Sequence, residues 1–283
     1  MPEHLKDQYL RLKKIALTDL GGMEVGRLLS EMAISARQLL QRIERVQFTS
    51  GVENKRYFGY RAEEESRPIN EALWISDDHD FDRSLENFQI GFREATPEAI
   101  TRATYTMSYA VFTAHDAFDV GRKASATFFE ILIGHLVSRT LGIAPRKKVK
   151  IPESGANLPT DFVFDPGQGK GKMHLPIKTS TRERAVQAWV HQLVLDGIFG
   201  HGVYKGVFVI ASETKRAAKT GRITEICVPK QFQMFQTRVA QLTRIYYLDP
   251  PEAYLALAGA EFPQLQVKSF GESIQELPGL LHG

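Results

Sequence analysis

The stretch DFVFDPGQGKGKMHLPIKTSTRERAVQAWVHQ, residues 161–192, is where the periodicity of the chain changes. DFVF (161–164) and KMHLPIK (172–178) are short extended segments, and PGQGKG (166–171) between them is made of turn formers. Together they read as a hairpin. From Thr181 to Asp196 the pattern becomes helical, with Ala185, Val186, Trp189, Val190, Leu193 and Val194 on one apolar face and Trp189 in the core. VFVIA (207–211) has the unbroken apolar character of a central strand. Residues 222–228 predict a further strand, 233–242 a helix, 244–248 a last strand and 252–257 a short helix before an irregular tail. This alternation predicts a mixed α/β core with no internal repeat.

Upstream, helices dominate. Met23–Leu40 carries apolar residues at spacings of three and four. Thr96 is placed to cap a helix that Pro97 opens. A second helix, near Ala124–Thr140, has Phe128, Phe129, Ile131, Leu132, Leu136 and Val137 as its apolar side, with Gly142 as its stop. Glu130 stands inside that apolar run. Residues 46–80 are less regular. Lys55, Arg56, Tyr57, Phe58, Tyr60 and Arg61 interleave basic and aromatic side chains, as a solvated strand or a nucleic-acid contact would. ISDDHDFDRS (75–84) lacks the ligand order and central glycine of a calcium loop, so a charged loop or a helix cap is expected there. The division this predicts is a mainly helical recognition and dimerisation region over 1–120 and a catalytic core with a C-terminal extension over 121–283.

Composition narrows the class. The 283 residues are 43% apolar and 24% charged, which excludes a wholly disordered or collagen-like chain. With 36 Lys and Arg against 33 Asp and Glu, the formal charge of +3 neither demands nor forbids a polyanionic partner. Cys227 is the single cysteine, so an intrachain disulfide and a cysteine-rich zinc site are excluded, and its apolar surroundings predict a buried thiol. MPEHLKDQYLRLKK at the N-terminus has no basic region followed by an apolar stretch, and no run reaches the roughly 20 apolar residues of a membrane helix. A cytoplasmic protein is the expectation.

The chemistry concentrates on Asp161 and Lys178. In a hairpin the two meet at one end. The carboxylate can hold a divalent cation, while the lysine orients or deprotonates a water and offsets phosphate charge. The Ile177 carbonyl offers a further oxygen, and hard oxygen ligands favour Mg2+ or Mn2+ over zinc. TD (160–161) followed by LPIKTSTRERAVQAWVHQ (175–192) resembles the catalytic core of type II restriction endonucleases of the PD-(D/E)XK superfamily. The matching residues are Lys178, Thr179, Ser180, Arg182, Glu183, Arg184 and Gln187. ASATFFEILIGHLVSRTLGI (124–143) resembles the helix whose acid, here Glu130, points to the metal in that family. The resemblance covers roughly residues 124–230.

Two departures stand out. Thr160 replaces the motif proline, and Pro176 occupies the acidic position two before the lysine, where it supplies neither a metal ligand nor a backbone donor. Some members of the family carry the missing acid on the following helix, at a position held here by His191. An imidazole suits transition metals better than magnesium. Glu183, Gln187 and His191 recur at helical spacing along one polar side. The metal-ligand candidates are therefore Asp161, Glu130, Glu183 and His191 in that order, with Asp165 on the same strand face. Lys178 completes the catalytic set.

The resemblance implies a PD-(D/E)XK restriction-endonuclease-like fold, a mixed central sheet flanked by helices. It implies Mg2+-dependent hydrolysis of duplex DNA at a short palindromic site, leaving 5′-phosphate ends, with Mn2+ as a substitute. It also implies a homodimer paired functionally with a cognate DNA methyltransferase. Arg182, Arg184, Gln187, Lys147, Lys148, Lys215 and Arg216 are the DNA-binding candidates; Arg146, Lys150, Lys219 and Arg222 lie in the same basic runs. A repair or recombination nuclease on the same core, a catalytically silent DNA-binding module and a protein-interaction domain are the competing readings. Metal-dependent, site-specific cleavage separates them.

Overall fold

The computed structural model describes residues 3–62, 65–118, 122–152, 154–167, 169–181, 186–258, 262 and 264–281. It divides into two compact units, Met1–His135 with Thr214–Ile226, and Leu136–Glu213 with Cys227–Gly283.

The first unit opens with α1 (Glu3–Ala16) and α2 (Met23–Leu40), followed by the strands β1 (Glu44–Phe48), β2 (Tyr57–Arg61) and β3 (Ile69–Asn70). These strands form a small antiparallel sheet in the order β1-β2-β3. Tyr57, Phe58 and Tyr60 are buried in it, so the aromatic residues of the basic-aromatic run are core and not a stacking platform. Lys55 of that run pairs with Glu225 at 2.7 Å.

α3 (Asp78–Gln89) is capped by Asp77, whose side chain accepts from the Asp80 amide, so ISDDHDFDRS does begin a helix with its own cap. α4 (Pro97–Ala117) starts as its sequence requires. Thr96 accepts from the Ala99 amide at 3.2 Å and Pro97 occupies the first turn. α5 (Arg122–Leu141) buries Phe128, Phe129, Ile131, Leu132, Ile133, Leu136 and Val137. A helix that is apolar on most sides is a buried one. Gly142 ends it at φ +65°, a conformation that favours glycine.

The second unit is built on one mixed sheet. β4 (Arg146–Lys150), β5 (Asn157–Phe164) and β6 (Lys172–Leu175) form an antiparallel meander. β7 (Ile177–Lys178) continues the line of β6, and both pair in parallel with β8 (Tyr204–Ser212). α6 (Val186–Phe199) connects β7 to β8. It approaches the sheet closely at Gly206, where an added Cβ would stand 2.5 Å from Gln192 Oε1 and 2.6 Å from Leu242 Cδ2. Trp189 is fully buried against Phe232 and Phe208, and its indole N–H donates to Gln236 at 2.9 Å.

After β8 the chain returns to the first unit as the hairpin β9 (Thr214–Arg216) and β10 (Ile223–Glu225). Ile223 there packs with Val46, Phe48 and Tyr57, and its carbonyl accepts from the Gly51 amide at 2.7 Å. The strand expected over 222–228 is thus three residues long and belongs to a separate two-stranded sheet. α7 (Pro229–Arg238), β11 (Arg244–Asp249) and α8 (Glu252–Ala256) follow in the second unit. The tail is not irregular. β12 (Val267–Ser269) adds in parallel to β11, and Ser269 with Glu272 forms a capping box for α9 (Phe270–Leu280). Among the described residues the sheet order is β12-β11-β8-β6-β5-β4, with β7 also on β8. No helix among the described residues is long and apolar enough to cross a membrane.

Candidate active site

The β5–β6 register pairs Phe162 with Leu175 and Val163 with His174. Residues opposite one another share a face, and strands alternate with period two. Asp161, His174, Pro176 and Lys178 are therefore on the side of the sheet that α6 covers. Asp161 is the focus of this face. Its Oδ2 accepts from the Ile177 amide at 2.7 Å and from Lys178 Nζ at 3.0 Å. The backbone bond fixes the carboxylate at the β6–β7 junction, and the ion pair holds the ammonium beside it.

Asp161, Lys178, Pro159, Thr160, Pro176, Gln187, Ala188, His191 and Phe208 line one cleft of about 180 Å3. Gln187 and His191 reach it from α6, one helical turn apart. His191 is partly exposed; burial holds its imidazole below the ordinary histidine range, Asp161 pulls it upward and Lys178 pushes it down.

Next to it lies His174, which the sequence alone did not single out. It is wholly buried, its ring centroid is 5.7 Å from that of His191, and neither ring nitrogen has a hydrogen-bond partner among the described residues. Burial first, then His191 and Lys178, push its pKa down to about 3, so the ring is neutral. Its signal in the sequence was alternation, because KMHLPIK places His174 on the same strand face as Pro176 and Lys178.

The other candidates are dispersed. Arg182, Glu183 and Arg184 lie outside the described residues. Glu130 is half-buried on α5 in the first unit. Asp165 lies past the end of β5, where it pairs with Lys172 at 2.9 Å and caps a turn at Gly167, so its partners differ from those of Asp161. Lys147 and Lys148 are exposed on β4, an edge strand, with Lys147 Nζ 5.3 Å from the centre of the Phe162 ring. Lys215 is exposed on β9, whereas Arg216 pairs with Glu65 and stacks over Phe48 at 5.3 Å. Separately, Asp77, His79 and Asp80, all exposed, bring one ligand atom each within 4.8 Å of the others, an arrangement consistent with binding a divalent cation.

The donors of the cleft can be set against the ion that the family resemblance implies. Among the described residues the cleft offers one carboxylate, engaged by a lysine, one imidazole, the Gln187 carboxamide and the Thr160 hydroxyl; position 176 is proline. Magnesium takes oxygen ligands in a near-ideal octahedron. Among the described residues this set holds a single carboxylate, and its imidazole suits a transition cation better than magnesium.

No protein-family model matches the chain, and no curated protein matches it. Among solved structures, one titled as the type IIP restriction endonuclease Kpn2I superposes with a TM-score of 0.84 at 23% identity, over 98% of this chain and 97% of that one. The restriction endonuclease PspGI in complex with substrate DNA covers 90% of this chain and 92% of its own at a TM-score of 0.45 and 15% identity. The likeness to Kpn2I includes the N-terminal third, for which the sequence had suggested no counterpart. With its mixed sheet, flanking helices and helical N-terminal region, the chain has the PD-(D/E)XK restriction-endonuclease-like fold.

Proposed function

We propose that the chain is a type II endodeoxyribonuclease that hydrolyses duplex DNA at a short palindromic sequence and leaves 5′-phosphate ends. The observation that supports this reading best is the Asp161–Lys178 pair, 3.0 Å apart and pinned by the Ile177 amide in the lining of a cleft, in a Kpn2I-like fold. Lys178 carries the charge and the donors to orient an attacking water and to offset negative charge on the phosphate. Asp161 positions that ammonium. A divalent cation bound at the carboxylate would polarise the phosphate and activate the water. Magnesium, with manganese as a substitute, needs an oxygen donor beyond Asp161 and the Ile177 carbonyl, and Glu183 is the acid placed by sequence to supply it.

Lys147, Lys148 and Lys215 are exposed and suited to phosphate contacts, which give affinity and register without reading sequence. Arg182, Arg184 and Gln187 belong to the same DNA-binding set, and Arg216 joins it on leaving Glu65. A homodimer would match a palindromic site by its two-fold axis, and a cognate methyltransferase would protect host DNA.

The test is digestion of unmethylated phage DNA by the full chain, with and without added divalent cation. Discrete fragments that need the cation, and that vanish in folded Asp161→Ala and Lys178→Ala proteins, are the expected result. DNA bound tightly but left intact with every cation, on a substrate containing all short palindromes, would refute it in favour of a silent binding module.

A further inference from the structure

The cleft that carries Asp161 and Lys178 presents an imidazole beside its one described carboxylate. The choice of metal rests on the nuclease reading and makes it more specific. His191 lines the cleft together with Asp161, so the two side chains open onto the same space. Pro176, which also lines it, has no side-chain donor. A mixed carboxylate–imidazole pair favours first-row transition cations over magnesium, since imidazole nitrogen binds manganese, cobalt and nickel but is a poor ligand for a hard, strongly hydrated ion.

The second observation is His174. A wholly buried imidazole with two nitrogens unpartnered among the described residues is costly, and native proteins rarely keep one without a use. Its centroid lies 5.7 Å from that of His191, with the rings inclined at 44°. An N–H···N bond between two imidazoles brings their centroids to roughly 5 Å, so a small rotation closes it. A histidine that ligates a metal through one nitrogen generally has its other ring nitrogen held by a neighbour that sets the ring's orientation. His174 stands where that neighbour belongs.

We propose that the cleft binds a transition cation such as Mn2+ or Co2+ in preference to Mg2+, with Asp161 and His191 as its protein ligands and His174 as the residue that orients His191.

The experiment measures metal binding directly. The 283-residue chain is used in a His79→Ala background, which removes the imidazole from the exposed Asp77, His79 and Asp80 group. Co2+ binding is followed by its visible absorption spectrum, Mn2+ binding by electron paramagnetic resonance, and Mg2+ by competition. The expected result is one Co2+ or Mn2+ bound at least ~10-fold more tightly than Mg2+, with nitrogen ligation in the cobalt spectrum. His191→Ala removes that preference and the nitrogen signature, and His191→Glu shifts the preference towards Mg2+. His174→Leu weakens Co2+ binding by about 10–100-fold, with His174→Asn recovering part of the loss. His191 is partly exposed, so its variants decide the question even where those at buried His174 fail to fold.

A cobalt affinity and spectrum unchanged by His191→Ala would overturn the proposal, as would Mg2+ bound as tightly as Co2+. Cleavage separates this outcome from the fate of the nuclease reading. Mg2+-dependent cutting at wild-type rate by His191→Ala refutes the metal inference alone. Cobalt bound through His191 without cutting under any cation upholds the metal site and refutes the nuclease.

Discussion

Replacing Glu213 should loosen the segment that carries Lys178. Glu213 follows β8 and is only 2% exposed. Its carboxylate accepts from the Thr181 amide at 3.1 Å, from the Thr181 hydroxyl at 2.6 Å and from the Tyr247 hydroxyl at 3.0 Å. The Ser212 amide meanwhile donates to the Thr179 carbonyl at 3.2 Å. The run from Lys178 to Thr181 is therefore tied to the end of β8. Glu213→Ala strands three buried donors and opens a cavity. Each buried donor left unsatisfied costs about 1–3 kcal/mol, so stranding all of them costs at least ~3 kcal/mol. For a chain of this size each kilocalorie lowers Tm by roughly 2–4 °C, which makes the shift at least about 6 °C. Glu213→Gln keeps the shape and one acceptor oxygen, and the Tyr247 hydroxyl can turn to accept from the new amide, so its cost is about 1 kcal/mol. Thermal and urea unfolding followed by circular dichroism measure both variants. Cleavage at a temperature where both are folded should fall further for Ala than for Gln. A Glu213→Ala protein within ~0.5 kcal/mol of wild type would refute the reasoning, because that is the scale of a surface substitution.

Three further outcomes are expected from the same structure. Gly206→Ala places a Cβ against Gln192 and Leu242, and overpacking of this kind costs about 1–3 kcal/mol, read as a lower urea midpoint with unchanged slope. His115 is buried, and burial together with Arg67 lowers its pKa from 6.5 to about 4, against the opposing pull of Asp116. The unfolded chain then binds the extra proton, so this stabilisation is complete above pH 6.5 and is lost as pH falls towards 4. Between pH 6.5 and 5 the loss is about 1.6 kcal/mol, and His115→Phe should flatten that decline in melts across this range. Raising salt should weaken DNA binding, and Lys147→Ala and Lys148→Ala should each reduce the slope of log affinity against log salt by about one.

The sequence showed most clearly those parts of the fold that local rules control. Thr96 and Pro97 open α4 by their own side-chain and ring chemistry, and Gly142 stops α5 because it adopts a positive φ. The β5–β6 hairpin comes from turn formers between two short apolar runs, and it brings Asp161 to Lys178 through one register. What escaped depended on partners far along the chain. RKKVK forms β4 although only Val149 is buried, so alternation is nearly invisible in that edge strand. Tyr57, Phe58 and Tyr60 read as a solvated strand or a nucleic-acid contact because the neighbouring residues are basic, and their burial comes from the sheet around them. β12 is three residues long, and its reason for existing is β11. The capping box SFGE at 269–272 could have announced α9. His174 was legible as a position on a face, but its isolation from hydrogen-bond partners was not, since that depends on what α6 and β8 place around it.

The hairpin β9–β10 constrains how this protein can be taken apart. The backbone passes between the units at 135–136, at 213–214 and again at 226–227. A single cut therefore does not yield two self-sufficient halves. Truncation to 136–283 would leave Ile223 without Val46, Phe48 and Tyr57, and Glu225 without Lys55. A chimera that exchanges the first unit between relatives has to carry residues 214–226 with it as a second insert. In evolution the same connectivity makes these two units a poor pair for shuffling by simple end-to-end fusion, and favours their change by substitution in place.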